Sequence, residues 1–139
     1  SKGVVIGISS VAGYRGLPGR SAYSASKFAL QGWLEALRTE LHDSGVHVMW
    51  VAPGFVTSNI RSVALNSQGR PEAESLMNEK GMMTPEVCAR HIVAAVEKKR
   101  RSVVLSFQGG LTAWINKLFP ALADRLVHRF YFKEGRLIK

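Results

Sequence analysis

Tyr23 and Lys27 stand four positions apart in the stretch Ser-Ala-Tyr-Ser-Ala-Ser-Lys, which covers residues 21–27. If that stretch opens a helix, both side chains lie on one face, one turn apart. A phenol ordinarily keeps its proton until about pH 10, and an ammonium group one turn away favours the phenolate and lowers that pKa. Such a tyrosine can exchange a proton with a substrate oxygen near neutral pH. The pair therefore predicts acid–base chemistry for a carbonyl–alcohol interconversion.

Ser10 precedes Tyr23 by thirteen residues and offers a hydroxyl that can bond the same oxygen. It follows Gly3–Ile8, an apolar run rich in Val and Ile that predicts a buried parallel strand. A loop over residues 14–20 comes next, and open α/β sheets bind ligands at loops after the carboxyl ends of their strands. Taken alone, the Tyr-x-x-x-Lys pair is more typical of a packed tyrosine beside a solvated lysine, so the order of these elements carries the interpretation.

One long helix is predicted over residues 22–42, followed by a second strand over Val46–Ala52. The helix is predicted from apolar residues at three- and four-residue spacing, namely Phe28, Leu30, Trp33, Leu34, Leu37 and Leu41. Gln31 and Arg38 are among the polar residues assigned to its other faces, and Gly45 is assigned the helix-terminating role. Strand, helix and strand in this order predict a parallel pair, which brings Ser10 and the following Pro53 to one edge.

Three segments, in this order and spacing, resemble the classical short-chain dehydrogenase/reductase family. They are Ile-Ser-Ser-x-x-Gly at 8–13, Tyr-Ser-Ala-Ser-Lys at 23–27 and Pro-Gly-x-Val at 53–56. The resemblance runs from residue 1 to about residue 106. It implies an α/β chain that forms part of a doubly wound parallel-sheet Rossmann fold, with about three strands and flanking helices. Because family members are usually longer, it also implies that the amino-terminal half, with the glycine-rich phosphate turn, is absent.

The resemblance implies an oxidoreductase that transfers a hydride with NAD or NADP. Tyr23 would be the general acid and base, Lys27 would assist it and bond the nicotinamide ribose, and Ser10 would hold the substrate oxygen. The cofactor-binding residues implied are Tyr23, Lys27, Pro53, Gly54, Val56 and Ser58, with the backbone around Val56 meeting the nicotinamide carboxamide. Ser58 stands where the family usually has Thr, and Thr57 could take that part instead. The residue that selects between NAD and NADP would lie upstream.

Periodicity fades over residues 59–83, which the resemblance identifies as a mobile substrate lid. Its Leu and Met content suits an apolar carbonyl or alcohol of lipid, steroid or retinoid type, because Met adapts to varied shapes. Ordinary lid packing explains that content equally well. A short helix is predicted over 73–80, and another is predicted to begin with Thr84 as its cap and Pro85 as its first residue.

The chain from residue 98 onward holds ten Lys and Arg residues against two acidic ones, so it carries +8 of the net charge of +9. A third strand is predicted over 102–107, a break at Gly109 and Gly110, and a helical stripe over 111–131 that Pro120 interrupts. The chain is therefore divided into a catalytic part, 1–109, and a basic amphipathic helical extension, 110–139. That extension could cover the substrate pocket or a subunit interface, or lie on an anionic membrane surface. The sequence does not interleave aromatic and basic residues in the way that is typical of nucleic-acid binding, so no nucleic-acid partner is predicted.

Composition agrees with a protein that has a hydrophobic core, since 46% of the residues are hydrophobic. The single cysteine, Cys88, fits a reducing compartment and predicts a cytoplasmic protein, with membrane association as the alternative. Cys88 and His91 lack the further ligands of a metal site. The wide apolar surface of the long helix, read with the resemblance, implies a homodimer or homotetramer. The rival reading is a non-catalytic binding or scaffolding protein, or an inactive truncated piece, against which the intact Ser10, Tyr23 and Lys27 argue.

Overall fold

The computed structural model of the protein describes residues 2–63, 65, 68–70, 81–133 and 136–137. Its main sheet has three parallel strands in the order β1 (Gly3–Ile8), β2 (Val46–Ala52) and β3 (Ser102–Val104). The first two strands have the predicted bounds. The third ends three residues before the predicted position, because Ser106 turns the chain into the next helix.

Helix α1 (Ser21–Glu40) covers one face of this sheet. Its fully buried Leu34 forms a core cluster with Val48 and Trp50 of β2. A Cβ on Gly7 of β1 would collide with the Leu34 side chain, so glycine at that position allows the helix its close approach. The helix ends two residues earlier than predicted. Gly45 lies beyond its cap with φ of 76°, and it therefore serves the turn into β2 rather than the helix end.

Helix α3 (Pro85–Glu97) covers the opposite face, where Ala95 packs with Met49 and Val51 of β2. Because consecutive β2 side chains face opposite helices, this strand is buried on both sides from Val48 onward. The predicted start is confirmed, since the Thr84 hydroxyl accepts a bond from the Val87 amide and Pro85 opens the helix. Helices on both faces of a parallel sheet give the predicted doubly wound α/β architecture.

Two further helices, α4 (Phe107–Leu118) and α5 (Pro120–Tyr131), follow β3 and pair with each other. Pro120 is the first residue of α5, as predicted. The predicted break at Gly109 and Gly110 is wrong, because α4 contains both glycines. A Cβ on Gly109 would lie 2.5 Å from Val11 Cγ2 and 2.6 Å from Ser106 Oγ, so this glycine is needed for close packing. A small antiparallel hairpin, β4 (Phe132–Lys133) and β5 (Arg136–Leu137), ends the described chain.

The region predicted to be a lid is described only in part. A short helix, α2 (Ile60–Val63), lies at its start, and Val56, before the lid, forms a parallel bridge with Met83 at its far end. The helix predicted over 73–80 lies outside the described residues. Within the part of the chain that the structure describes, no helix is both long and apolar enough to cross a membrane.

Candidate functional site

The carboxyl edge of the sheet brings together the segments that the sequence singles out. The Ser9 amide donates to the Val51 carbonyl at 2.7 Å, which aligns the ends of β1 and β2. Lys27 Nζ donates to the carbonyl of Ile8 at 2.9 Å and so ties the first turns of α1 to the end of β1. Ser10, Lys27 and the turn after β2 therefore meet at one edge.

Tyr23 and Lys27 lie on one side of α1. Lys27 Nζ stands 5.5 Å from the centroid of the Tyr23 ring, and the tyrosine is 45% exposed. An ammonium group has three donors, and the Ile8 carbonyl uses one of them. The phenol is thus open to a ligand, next to a cation that retains bonding capacity.

Ser10 begins a 3₁₀ turn, Val11–Gly13, with extended backbone angles (φ −159°, ψ 166°). Its Oγ accepts a hydrogen bond of 3.2 Å from the Ala12 amide. A serine hydroxyl that accepts from the backbone still has its own proton to donate. Ser10 can therefore act as a hydrogen-bond donor toward a ligand oxygen at this edge.

The sequence does not predict two polar contacts that hold the segments on either side of Ser10 against α1. Gln31 is buried, and its Nε2 donates to the buried Ser9 Oγ at 2.8 Å. The Ser24 hydroxyl accepts a bond of 3.1 Å from the Leu17 amide, which ties the loop after Ser10 to α1. The prediction that Gln31 lies on a side of α1 other than the core-facing one is wrong. Its side-chain amide can be buried because the buried Ser9 accepts a hydrogen bond from it. The available signal was a polar residue that lies one position beyond Leu30 in an otherwise apolar stretch.

The turn after β2 is arranged by Gly54 and by the bridge to Met83. A Cβ on Gly54 would stand 2.6 Å from Ser106 Cβ, so only glycine fits where the ends of β2 and β3 converge. Met83 exchanges backbone bonds with Phe55 and Thr57, at 3.1 and 2.9 Å. In a parallel bridge of this kind the Val56 amide and carbonyl point away from Met83.

Ser58 lies past this turn, where its Oγ accepts a 3.4 Å bond from the Ile60 amide at the start of α2. Thr57 donates its own backbone amide to Met83. The structure thus gives Ser58 a local capping contact, and the backbone of Val56 bonds no other described residue.

Arg15 clamps the Ser10 loop to helices α4 and α5. Its Nη1 donates to Asn116 Oδ1 at 2.8 Å and its Nη2 pairs with Asp124 at 2.6 Å. Asn116 Nδ2 returns a bond of 2.8 Å to the Tyr14 carbonyl, and the Tyr14 hydroxyl accepts from Trp50 Nε1 at 2.8 Å. Nothing in the local sequence of the loop signals this clamp, because its partners lie about a hundred residues away.

We expect Arg15→Ala to lower the free energy of unfolding by about 1–2 kcal/mol. The Asn116 bond should account for most of the loss, because Asp124 is 69% exposed and its ion pair is screened by water. Urea denaturation measures the change. Arg20→Ala is the control, since Arg20 is exposed and makes no side-chain capping bond. Equal stability of the two variants would contradict a clamping role for Arg15.

The titratable groups elsewhere do not form a second centre in the described part of the chain. Burial raises the pKa of the Cys88 thiol, which keeps it protonated and unreactive near neutral pH. No group of three or more His, Cys, Asp or Glu side chains that could hold a metal ion occurs among the described residues. Within these residues, the carboxyl edge of the sheet is the arrangement that can support acid–base chemistry.

Comparison with known proteins agrees with this architecture. A family model described as short chain dehydrogenase matches residues 1–68. The chain is 35% identical, over 137 residues, to dehydrogenase/reductase SDR family member 7B of Rattus norvegicus, an alignment that covers 97% of this chain and 42% of the relative. The chain therefore spans about two fifths of the length of the curated relatives that it matches.

Two solved structures share its fold. A short chain dehydrogenase from Burkholderia cenocepacia J2315, in complex with NADP, superposes with a TM-score of 0.70 at 23% identity, over 90% of this chain and 47% of that one. A short chain dehydrogenase/reductase from Burkholderia phymatum, in complex with NAD, gives 0.69 at 20% identity, over 88% of this chain and 49% of that one. At these identities the likeness shows the fold.

Proposed function

Because the chain belongs to the short-chain dehydrogenase/reductase family, we propose that it carries the acid–base site of a nicotinamide-dependent oxidoreductase. The reaction is the interconversion of a carbonyl and an alcohol. The observation that supports this proposal most directly is the exposed Tyr23 phenol, with Lys27 Nζ 5.5 Å from its ring, at the sheet edge that Ser10 also occupies.

The residues at this edge fit a nicotinamide cofactor. The hydrogen bonds of the Val56–Met83 bridge are made by the neighbouring Phe55 and Thr57, so Val56 itself makes no backbone hydrogen bond with another described residue. Its amide and carbonyl therefore suit a planar carboxamide. Lys27 has donors left for ribose hydroxyls after bonding Ile8. When bound, the nicotinamide supplies or takes up the hydride, while the protein provides orientation and proton transfer.

Tyr23 carries the proton in this proposal. In reduction its hydroxyl donates a proton to the substrate oxygen, and in oxidation the phenolate removes one from the alcohol. Lys27 holds its ammonium group 5.5 Å from the Tyr23 ring, beside the group that exchanges the proton. Ser10 donates its hydroxyl proton to the same substrate oxygen and fixes the carbonyl beside Tyr23.

The proposal includes NAD or NADP as cofactor and an apolar substrate. The similar solved structures hold NADP in one case and NAD in the other, which supports both choices. Phe55, Ile60, Val63 and Leu65 are more than half exposed beyond the Gly54 turn. An apolar surface beside the site supports a lipid-, steroid- or retinoid-like substrate rather than a small polar sugar.

A homodimer or homotetramer is also part of the proposal. Phe28 and Trp33 of α1 are 46% and 57% exposed, on a helix whose opposite side packs on the sheet. Exposed aromatic residues on a helix surface are typical of a subunit interface.

A substrate panel tests the proposed activity. Protein expressed from the longest reading frame that contains this chain is mixed with NADH or NADPH and with steroid ketones, retinal, fatty aldehydes or aldose sugars. We expect a value of kcat/KM at least tenfold higher for the apolar carbonyls, because each buried methylene contributes about 0.8 kcal/mol of binding. Absorbance of the reduced nicotinamide follows the reaction. A folded protein that binds neither cofactor and reduces none of these compounds would favour the non-catalytic binding or scaffolding alternative.

A further inference from the structure

Helix α4 turns a line of large apolar side chains away from the protein. Phe107, Leu111, Trp114 and Leu118 are 87%, 46%, 56% and 50% exposed. At about 100° per residue these four positions fall within about 60° of one another on the helix surface. Gly109, on the opposite side, is buried against the Ser10 loop. The helix therefore packs through its small and polar side and presents its apolar side outward.

Helix α5 continues the same surface. Leu122, Leu126 and Phe130 recur every fourth residue and are 47%, 44% and 75% exposed, while the neighbouring Ala123 is buried. The rings of Trp114 and Phe119 contact edge to face with centroids 6.0 Å apart, which joins the two stripes at the connection between the helices. We call the exposed apolar residues of α4 and α5 together the hairpin ridge.

Among the described residues, the charge beside the hairpin ridge is positive. Arg125 and Arg129 lie next to the α5 stripe, on the side away from Ala123, and Lys117 and Lys133 stand near the two helix ends. Asp124 is the acidic residue of these two helices, and Arg15 pairs with it at 2.6 Å. The positive charge of the ridge is therefore not balanced from within the hairpin.

We propose that the hairpin ridge docks on an anionic membrane surface, with α4 and α5 lying in the headgroup region. Apolar and aromatic side chains flanked by Arg and Lys are the features that hold a helix in this plane. A second copy of the chain fits less well, because it would bring a second set of basic side chains against the first. This inference goes beyond the proposed activity and does not depend on it.

The hairpin that carries the ridge contacts the candidate site through its opposite side. Arg15 and Asn116 fix the hairpin to the loop that follows Ser10. A protein lying on the membrane through the ridge would therefore hold its sheet edge close to the lipid, where an apolar carbonyl or alcohol concentrates.

Vesicle co-sedimentation tests the docking, with protein from the longest reading frame that contains this chain. We expect binding to vesicles of phosphatidylcholine with 30% phosphatidylserine, and at least tenfold weaker binding to phosphatidylcholine alone. Replacing both Arg125 and Arg129 with Gln should weaken binding to the anionic vesicles about 30-fold, since each basic residue near such a surface adds about 1 kcal/mol. Raising the salt from 0.1 to 1 M should reduce binding too, because the Debye length falls from about 10 to about 3 Å.

Matched variants separate docking from general effects. Trp114→Ser with Phe130→Ser should lower binding at least tenfold, whereas Val93→Ser removes an exposed apolar side chain, 57% exposed, from α3 and should leave it unchanged. Arg100→Gln with Arg101→Gln is the charge control. Circular dichroism checks that each variant is folded. Failure of the unaltered protein to bind, equal loss in ridge and control variants, or a ridge-dependent dimer that ignores vesicles would each overturn the proposal.

Discussion

Replacing Tyr23 with Phe is expected to lower kcat by about 100- to 10,000-fold, the range that a positioned acid–base group contributes. The variant loses one hydroxyl from a side chain that is 45% exposed, so no cavity opens in the core. We therefore expect its thermal unfolding temperature to remain unchanged. The measurement is the initial rate with the best substrate of the panel, using protein from the longest reading frame that contains this chain.

Tyr14→Phe is the matched control for this change. Tyr14 lies in the loop that follows Ser10, and its hydroxyl accepts a structural bond from Trp50 Nε1. It should therefore reduce stability by about 1 kcal/mol and affect kcat much less. Activity of the Tyr23→Phe variant within about tenfold of the unaltered protein would show that another group transfers the proton.

The 139-residue chain expressed by itself is expected to bind NADH and NADPH with a Kd of about 1 mM or weaker. A doubly wound fold binds a dinucleotide across the point where strand order reverses. The three described strands follow one another in sequence order without such a reversal. Lys27 and Val56 fit only the nicotinamide end of the cofactor. In this chain the adenosine and pyrophosphate would lack the glycine-rich turn that such folds use.

The same chain should also aggregate, because the side chains of Val4, Ile6 and Ile8 are 45%, 36% and 48% exposed on β1, whose described partner is β2 alone. A long apolar edge strand of this kind recruits other chains. Calorimetric titration and light scattering of the soluble fraction measure the two effects. A Kd in the low micromolar range would mean that this chain forms a cofactor site by itself.

Much of the fold could be predicted because its elements are specified locally. Short runs that are rich in apolar residues indicate β1 and β2, and the spacing of Leu34 with its apolar neighbours indicates α1. Thr84 and Pro85 mark a helix start through their own chemistry. The chemistry of the candidate site also lies in one short stretch, 21–27, in which spacing and residue type coincide.

The features that sequence reasoning missed depend on distant partners. Gly109 and Gly110 suggest a break, yet both lie within α4, and Gly109 is needed there because Val11, from the other end of the chain, leaves no room for a Cβ. Gln31 is buried because Ser9 accepts its amide, and one sequence gives no sign of that pairing. Propensity predicts what a segment prefers in isolation, and such contacts override it.

The Arg15 clamp has a consequence for the timing of folding. Its bonds to Asn116 and Asp124 close separations of 101 and 109 residues, and the Asn116 bond to Tyr14 closes 102. Long loops close slowly, because the entropic cost comes before the contact is gained. On the ribosome the amino-terminal segments emerge first. The loop that follows Ser10 therefore lacks its Arg15 contacts until α5 has left the exit tunnel. The candidate site becomes rigid only after that, later than the helix and strands that surround it.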